Sequence, residues 1–381
     1  MTAILGTSAS ELESGYHGHV GIRRSATLRI FCSGASTAAR ARLRLREGAF
    51  FTTFANVTFQ RVSVLIPSFK RPEMLDRCLR SLVAQGRPPD EVIVVWQGDD
   101  SATREATRSF AGATPFELKV LHLPKPGIVP AENLALSVAI GEVIFLIDDD
   151  AVAPPNWIER HLAHYADPRV GAVGGPANNH RLDGTPFPKR GLDVIGRVRW
   201  YGKCDGNMYD HPDHWKSRQV REVDHLVGYN LSFRRSALER FDDRLRPYWQ
   251  RFELDACLQI KARGFRVLFD FGNRVDHYPT NIAFDGRRDS QLDLRNYNPA
   301  YNEAYVLSKH SRGYLRPIRL GYLLALGNIS SPGVVGFAVA VARFRKPRRE
   351  AIIFVRCMFA KVQGWSAGRR AAGWRDPSPG G

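Results

Sequence analysis

Three consecutive carboxylates, Asp148-Asp149-Asp150, are the densest concentration of potential chemistry in this 381-residue chain. They follow the apolar run Val143 to Ile147, which places them at the end of a buried strand. Like charges crowded at one strand end repel one another, and without a counter-charge they cost stability. A divalent cation resolves that conflict: carboxylate oxygens suit Mg2+ or Mn2+, which can also bridge the phosphates of a substrate. Asp148 and Asp150 project to the same side of an extended chain, as a ligand pair must. The plain alternative is a solvated acidic turn leading into a helix, since Pro154-Pro155-Asn156 reads as a helix start.

The elements that must position these groups alternate. Val62 to Ile66 predicts a buried strand closed by Pro67-Ser68, and Glu73 to Ala84 predicts a helix from the spacing of Met74, Leu75, Cys78, Leu79 and Leu82. Glu91 to Trp96 and Val120 to Leu123 predict the second and third strands. Ala131 to Ile140 predicts a helix capped by Gly141, and Val143 to Ile147 the fourth strand. Such alternation with all-apolar strands implies a mostly parallel sheet with helices on both faces. Ligands of these sheets bind outside the carboxyl ends of the strands, which singles out Pro67 to Arg71 and Asp148 to Asp150. Further on, residues 174–214 read as long loops rich in Gly, Pro, Asn and Asp. Val223 to Phe233 is strand-like, Phe252 to Arg263 helical with Gly264 as its stop, and Phe265 to Phe271 a strand closely followed by His277.

Three segments occur in order: Val62-Ser63-Val64-Leu65-Ile66-Pro67-Ser68-Phe69-Lys70-Arg71-Pro72, the aspartates at 148–150, and Gly228-Tyr229-Asn230-Leu231-Ser232-Phe233-Arg234-Arg235. Together they resemble the inverting family 2 glycosyltransferases, whose catalytic domain has the GT-A (Rossmann-like) fold. The resemblance runs from about Val62 to Pro279. It implies a nucleotide-sugar donor and a Mn2+ or Mg2+ cofactor. Pro67, Ser68 and Arg71 would line the nucleotide pocket. Asp148 and Asp149 would sit on the donor, and Asp150, helped by Asp148 and His277, would hold the metal on the diphosphate.

An inverting transfer needs one general base to deprotonate the acceptor hydroxyl. The family places it in a helix start of the form Glu-Asp-x-Asp, which aligns Glu253 with the basic aspartate and Phe252 with the preceding glutamate. Glu253 is therefore the expected base, with Asp255 as the alternative or as an orienting second carboxylate. Gly228 and Asn230 would shape the acceptor side. Two departures from the family pattern stand out. Trp96-Gln97-Gly98 precedes Asp99-Asp100 where an aspartate usually reads the nucleobase, so Gln97 and Asp99 become the candidates for that contact. Ala131-Glu132-Asn133 replaces Ala-Arg-Asn, which removes a cation from the pocket.

The formal charge of +17 is unevenly placed: residues 1–60 carry +4, residues 311–381 carry +11, and residues 61–310 only +2. A nucleic-acid-binding core would carry its own basic face, so nucleic acid is not an expected partner. The chain thus divides into an Arg-rich extension (1–60), a catalytic domain (61–310) and a basic, apolar tail (311–381). Five scattered cysteines without a CxxC pair fit a reducing, cytoplasmic setting. Leu320 to Ala342 is uncharged for 23 residues but interrupted by Asn328 to Gly333, and Arg343 to Arg349 follows. That pattern predicts short helices lying on the inner face of the cell membrane, where a glycan or lipid-linked acceptor for surface polysaccharide would be found. The competing expectation is a helical unit packed on the catalytic domain. Two other functions compete with transfer: a non-catalytic scaffold of the same fold, and a nucleotidyltransferase, which would need a glycine-rich loop where Ser68-Phe69-Lys70-Arg71 stands.

Overall fold

The computed structural model describes residues 60–186, 196–206, 220–247, 251–279, 292–328, 331–344 and 347–372. The Arg-rich extension lies outside them, as do residues 187–195 and 207–219 of the predicted loops. In chain order the elements are β1 (Val62–Ser68), α1 (Pro72–Val83), β2 (Glu91–Gln97), α2 (Ser101–Arg108), β3 (Glu117–Leu123), α3 (Ile128–Val138), β4 (Val143–Leu146), β5 (Ala151–Val152) and α4 (Trp157–His164). There follow β6 (Val170–Gly174), β7 (Ala177–Asn179), β8 (Arg197–Val198), β9 (Cys204–Asp205), β10 (Val220–Glu222), β11 (Leu231–Arg234), α5 (Phe252–Ala262), β12 (Arg266–Asp270) and β13 (Val275–His277). The C-terminal part contributes α6 (Leu292–Lys309), α7 (Leu315–Ala325), β14 (Gly327–Asn328), β15 (Ser331–Pro332), α8 (Val334–Phe344) and α9 (Pro347–Ala372).

The main sheet has the order β10-β12-β6-β11-β4-β1-β2-β3. Strands β4, β1, β2 and β3 are mutually parallel, as expected. The sheet is nevertheless mixed, because β11 runs antiparallel to both β4 and β6 and β10 runs antiparallel to β12. Alternation along the central strands sorts their side chains onto two faces. Val62, Val64 and Ile66 join Val92, Val94, Val143 and Phe145 in a core shared with α1 and α4. Leu65 joins Ile93, Val95, Ile144 and Leu146 in a core shared with α3 and α5. Helices on both faces are thus what the apolar strands demand. The chain order reverses at β1, flanked by β4 and β2, so the crevice outside Ser68 and Asp148 is the ligand position such a sheet provides.

Three local expectations are corrected. β3 is not fully buried: it is the sheet edge, and Val120 is 38% exposed. Gly141 does not cap α3, which ends at Val138; a Cβ there would stand 2.5 Å from the Ser63 backbone nitrogen, so the glycine serves close packing against β1. The stretch Val223 to Phe233 is not one strand, since a 3-10 turn at Gly228–Asn230 precedes β11.

A second sheet, β5-β13-β7, sits just beyond the carboxyl end of β4. It pairs His277 with Ala151 and with Asn179, and so brings the end of β13 beside the aspartates.

The C-terminal helices are integral to the unit formed by residues 60–381. Tyr301, Tyr305 and Val306 of α6, and Cys357 and Ala360 of α9, belong to the same core as α3 and α5. The spacing Gly364-x-x-x-Gly368 lets the two helices approach backbone to backbone, because a Cβ on either glycine would lie 2.2–2.3 Å from the carbonyl oxygens of Tyr301 and Tyr305. Lys361 is fully buried and donates to the carbonyls of Leu323, Ser331 and Pro332 at 2.7–3.0 Å, fastening the β14–β15 hairpin to α9. The packed helical unit is therefore realised. Among the described residues no helix is long and apolar enough to cross a membrane.

This packing sets a test of the α6–α9 contact. Gly364→Ala should lower the free energy of unfolding by about 1–3 kcal/mol, because its Cβ meets backbone rather than a yielding side chain. Gly321→Ala, in mid-helix on α7 with open space around it, should be neutral or stabilise by up to about 1 kcal/mol. Urea denaturation of the two variants measures both.

Candidate active site

The three aspartates occupy the turn between β4 and β5, at the reversal point of the sheet. Asp149 and Asp150 are buried and Asp148 is 39% exposed at its side chain. β1 supplies the first counter-groups. The Ser68 hydroxyl donates to Asp149 Oδ2 at 2.6 Å, and the Arg71 guanidinium spans Asp149 (3.1 Å) and Asp150. Arg71 directly precedes α1 and is reached through Lys70, which adopts a left-handed φ of 55°. The Lys70 amide donates to Asp100, whose carboxylate also accepts from the Thr103 amide at 3.2 Å and so caps α2. The loop that carries Arg71 is thereby held by the loop after β2.

His277 closes the cluster from the other side. Its Nε2 lies 3.1 Å from Asp150 Oδ1 and 3.8 Å from Asp148 Oδ2, while Nδ1 faces Asn179 Oδ1 at 2.8 Å. Tyr229 stacks on the imidazole at 5.1 Å between centroids. An Nδ1–H donated to Asn179 fixes the tautomer that points the Nε2 lone pair at the carboxylates, the arrangement of a metal-ligating histidine. Burial opposes a charge on this ring, but Asp150 and Asp148 overcome it and hold the imidazole above its usual pKa. Burial and mutual repulsion push Asp148 and Asp149 upward. Asp148, Asp150 and His277 each offer one ligand atom, all within 4.8 Å of one another. Two carboxylates and an imidazole form a donor set that a divalent ion could occupy, in keeping with Mn2+ or Mg2+ for the oxygens and favouring Mn2+ for the nitrogen.

Glu253 stands in the first turn of α5, entered through Arg251 at a left-handed φ of 83°. A non-glycine residue held there is strained unless its surroundings fix it. The Arg251 guanidinium is anchored 3.1 Å from Glu303 on α6. Glu253 is 8% exposed and accepts from the Gly228 amide at 3.2 Å; a Cβ on Gly228 would come within 3.4 Å of the same carboxylate oxygen. Burial pushes Glu253 up to about 8, and the nearby charge of Asp148 adds to the shift. Gly228 and Glu253 are therefore in contact, and the Asp148 charge reaches Glu253.

The other candidates are placed elsewhere. Asp255, two residues on, is wholly buried and bonded to Lys309 Nζ at 2.9 Å, His310 Nε2 at 2.8 Å and Gln259 Nε2 at 2.7 Å. Burial would raise its pKa, but His310 and Lys309 prevail and hold it below the usual carboxylate value. Asn230 is a buried hub, bonded to Trp157, His161 and the carbonyls of Pro176 and Asn273 at 2.8–3.2 Å. Gln97 ties the Gly127 amide, at the start of α3, to the Ser68 carbonyl at the end of β1. Pro67 is buried in β1 and Asp99 is exposed at the end of β2. Asn179, Tyr229, and Lys309 at the end of α6 with the adjoining His310 were not anticipated, since each depends on a contact between distant segments. Only the Asx, aromatic or basic character of these residues is visible locally.

Comparison with known proteins agrees with this architecture. Residues 63–241 match the family described as Glycosyl transferase family 2. A glucosyl-dolichyl phosphate glucuronosyltransferase of Haloferax volcanii is 27% identical over 290 residues, covering 69% of this chain and 85% of that protein. Among solved structures, S. aureus TarS 1-349 in complex with UDP-GlcNAc is similar with a TM-score of 0.53 at 14% identity, covering 82% of this chain and 90% of that one. GalNAc-T7 with UDP, GalNAc and Mn2+ gives 0.54 at 15% identity, covering 80% and 57%. At such identities the two structures speak for the shared GT-A-like fold. Residues 63–241 thus carry the match to the glycosyl transferase family 2 domain, and the chain is similar to glycosyltransferases of that family.

Proposed function

We propose that this chain carries out a metal-dependent, inverting transfer of a sugar from a nucleotide-diphosphate sugar to a hydroxyl of a glycan or lipid-linked acceptor. The observation that carries this reading is a buried carboxylate, Glu253, bonded to the Gly228 amide and close enough to Asp148 of the Asp148–Asp150–His277 group to feel its charge. In an inverting transfer, leaving group and incoming hydroxyl sit on opposite sides of the anomeric carbon. The site needs positive charge at one side and a proton acceptor at the other.

Asp148, Asp150 and His277 would hold the metal, which supplies charge stabilisation for the leaving diphosphate. Ser68 and Arg71 fix the aspartates from behind. Glu253 takes the acceptor proton; its elevated pKa makes it a competent base only once it has ionised, so the rate rises with pH toward about 8. Asp255 acts as the orienting carboxylate that ties α5 to α6 through Lys309 and His310. Gln97 and Asp99 remain the candidates nearest the expected nucleobase side, Gln97 through its hold on the start of α3. The UDP-GlcNAc of one similar structure, and the UDP, GalNAc and Mn2+ of the other, are in keeping with this donor class.

Acceptor delivery at a membrane is supported by the surface of the C-terminal helices. Ile352, Val355, Phe359 and Val362 form a stripe on α9 at helical spacing, each 53–63% exposed, opposite the buried Cys357 and Lys361. Val334, Val335 and Val339 of α8 are 50–55% exposed. The basic run Arg343 to Arg349 joins these helices in sequence, which suits an anionic lipid surface. The dolichyl phosphate-linked substrate in the name of the Haloferax relative is in keeping with such an acceptor.

Three outcomes follow. In a thermal-shift screen of UDP, GDP, dTDP and CMP, one nucleotide should stabilise the protein only with Mn2+ or Mg2+ present, and Asp150→Ala should abolish that shift and turnover while retaining the fold. Glu253→Gln should lower turnover by roughly 100-fold or more while leaving nucleotide binding intact. Because the folded pKa of Glu253 lies above its ordinary value of 4.5, ionising it costs stability increasingly above that pH and in full beyond about 8. The same variant should therefore be more stable than the parent at pH 9 and equal to it at pH 4, as read by denaturant midpoints. For the helices, co-sedimentation should show binding to vesicles containing anionic lipid, weakened by salt and by Val355→Asp with Phe359→Asp, with no binding to neutral vesicles.

A further inference from the structure

Away from the aspartates, a cavity of about 380 Å³ lies where α6, α9 and the segment between β11 and α5 meet. Its lining consists of Arg244, Tyr301, Ala367, Arg370 and Ala371. The sequence makes the room: Gly364 and Gly368 bring α9 against α6, and Ala367 and Ala371 beside them are too small to fill the adjoining flank. The volume falls within the roughly 300–1,000 Å³ usual for small-ligand sites. The chemistry of the lining is one-sided, with two arginines from distant segments and no carboxylate. Arg244 spends Nε and Nη2 on Asp242, at 2.9 and 3.2 Å, which fixes the guanidinium and leaves Nη1 on the opposite edge. Asp242 is shared further with Lys309 Nζ at 2.8 Å and the Tyr305 hydroxyl at 2.6 Å, so its charge is not reserved for Arg244. Arg370 has no carboxylate partner among the described residues. Tyr301 is 9% exposed, and its hydroxyl is bonded to none of the described residues. Arg246 lies 4.1 Å above the Tyr301 ring and puts a third guanidinium behind it. A buried tyrosine ordinarily finds a partner for its hydroxyl, and here the cavity is where one can enter.

We propose that this cavity binds a phosphate or diphosphate group through the guanidinium groups of Arg244 and Arg370 and the Tyr301 hydroxyl. Guanidinium forks match the oxygens of phosphate, and the phenol adds a further donor. An arginine in the last turn of a helix also suits the macrodipole, and Arg369 does so equally. That role accounts neither for the cavity nor for the second arginine and the tyrosine that share it with Arg370. None of these residues belongs to the groups assigned to the donor, so the site stands apart from that reading. Two sources carry such a group, a soluble phosphate and a lipid headgroup. Helix α9 brings the second near: Arg370 is exposed, follows Phe359 by about three helical turns, or about 16 Å, and lies on the same side as the apolar stripe.

Calorimetric titration of pyrophosphate into the metal-free protein tests this with the parent, Arg370→Gln, Tyr301→Phe and Ala367→Leu. The first variant removes an exposed charge, the second removes one oxygen, and the third fills the cavity without touching a charge; denaturant midpoints report on the fold of each. The expected result is saturable binding to the parent, weakened about tenfold or more by Arg370→Gln and Ala367→Leu, and about threefold or more by Tyr301→Phe. No binding to the parent, or an affinity within about twofold of the parent in any of the three variants, overturns the proposal. Vesicles separate the two sources. Phosphatidylcholine vesicles carrying phosphatidic acid or phosphatidylglycerol are co-sedimented with the parent and with Arg370→Gln. Given the calorimetric losses, a preference for phosphatidic acid that Arg370→Gln removes supports the site with a lipid as its source. A preference that the variant leaves unchanged, or none at all, supports it with a soluble phosphate.

Discussion

The structure is organised around the burial of negative charge at the end of β4. Asp149 and Asp150 are removed from water beside a third carboxylate, and such a cluster is tolerable only if cations reach it from elements distant in sequence. Arg71 comes from the loop after β1, and His277 from β13 by way of the small sheet that also carries Asn179. Each counter-group needs its own support. Asp100 secures the loop before Arg71, Asn179 orients the imidazole, and Tyr229 covers it. The fold around the crevice can be understood as the set of contacts that keep a guanidinium and an imidazole facing three carboxylates. The same arrangement leaves a cluster of oxygens and one nitrogen converging on a point suited to a divalent ion.

A second charge network joins α5 to α6. Lys309 lies between Asp242, at 2.8 Å, and Asp255, at 2.9 Å, while His310 caps the latter and Tyr305 bonds the former at 2.6 Å. These bonds lock the start of α5 to the end of α6. With Arg251 held by Glu303, they fix the strained turn from which Glu253 projects. Helix α9 in turn packs on α6 through its glycine pair. The C-terminal helices thus do structural work for the site from one side, whatever surface their exposed valines and aromatics meet on the other. This couples placement of Glu253 to residues more than fifty positions away.

Much of this was legible in the sequence, because the signals were local. Apolar runs of five to seven residues marked β1, β2 and β4, helical spacing marked α1 and α5, and three carboxylates at a strand end marked the centre of the site. The motif order pointed to the family resemblance, and the same reading drew attention to Glu253 and His277. What was not legible depended on which segments meet. The reversal of direction at β11 leaves no periodic trace, and the edge position of β3 is set by topology rather than by its own residues. Asp255 and Asn230 carry residue types that suit a site, yet the fold turns both toward internal partners. The tail was read for its apolar surface, which is real, but Cys357, Ala360 and Lys361 on its other face belong to the core.

The central claim is that the carboxylate–histidine cluster holds a divalent ion against the donor diphosphate. A crystal of the protein soaked with Mn2+ and the nucleoside diphosphate that binds it, measured for anomalous scattering at the manganese edge, tests this directly. The account predicts a single strong peak among Asp148, Asp150 and His277 Nε2, in contact with the diphosphate oxygens. A nucleotide bound in the crevice with no peak there, or with manganese held away from these three side chains, would contradict it.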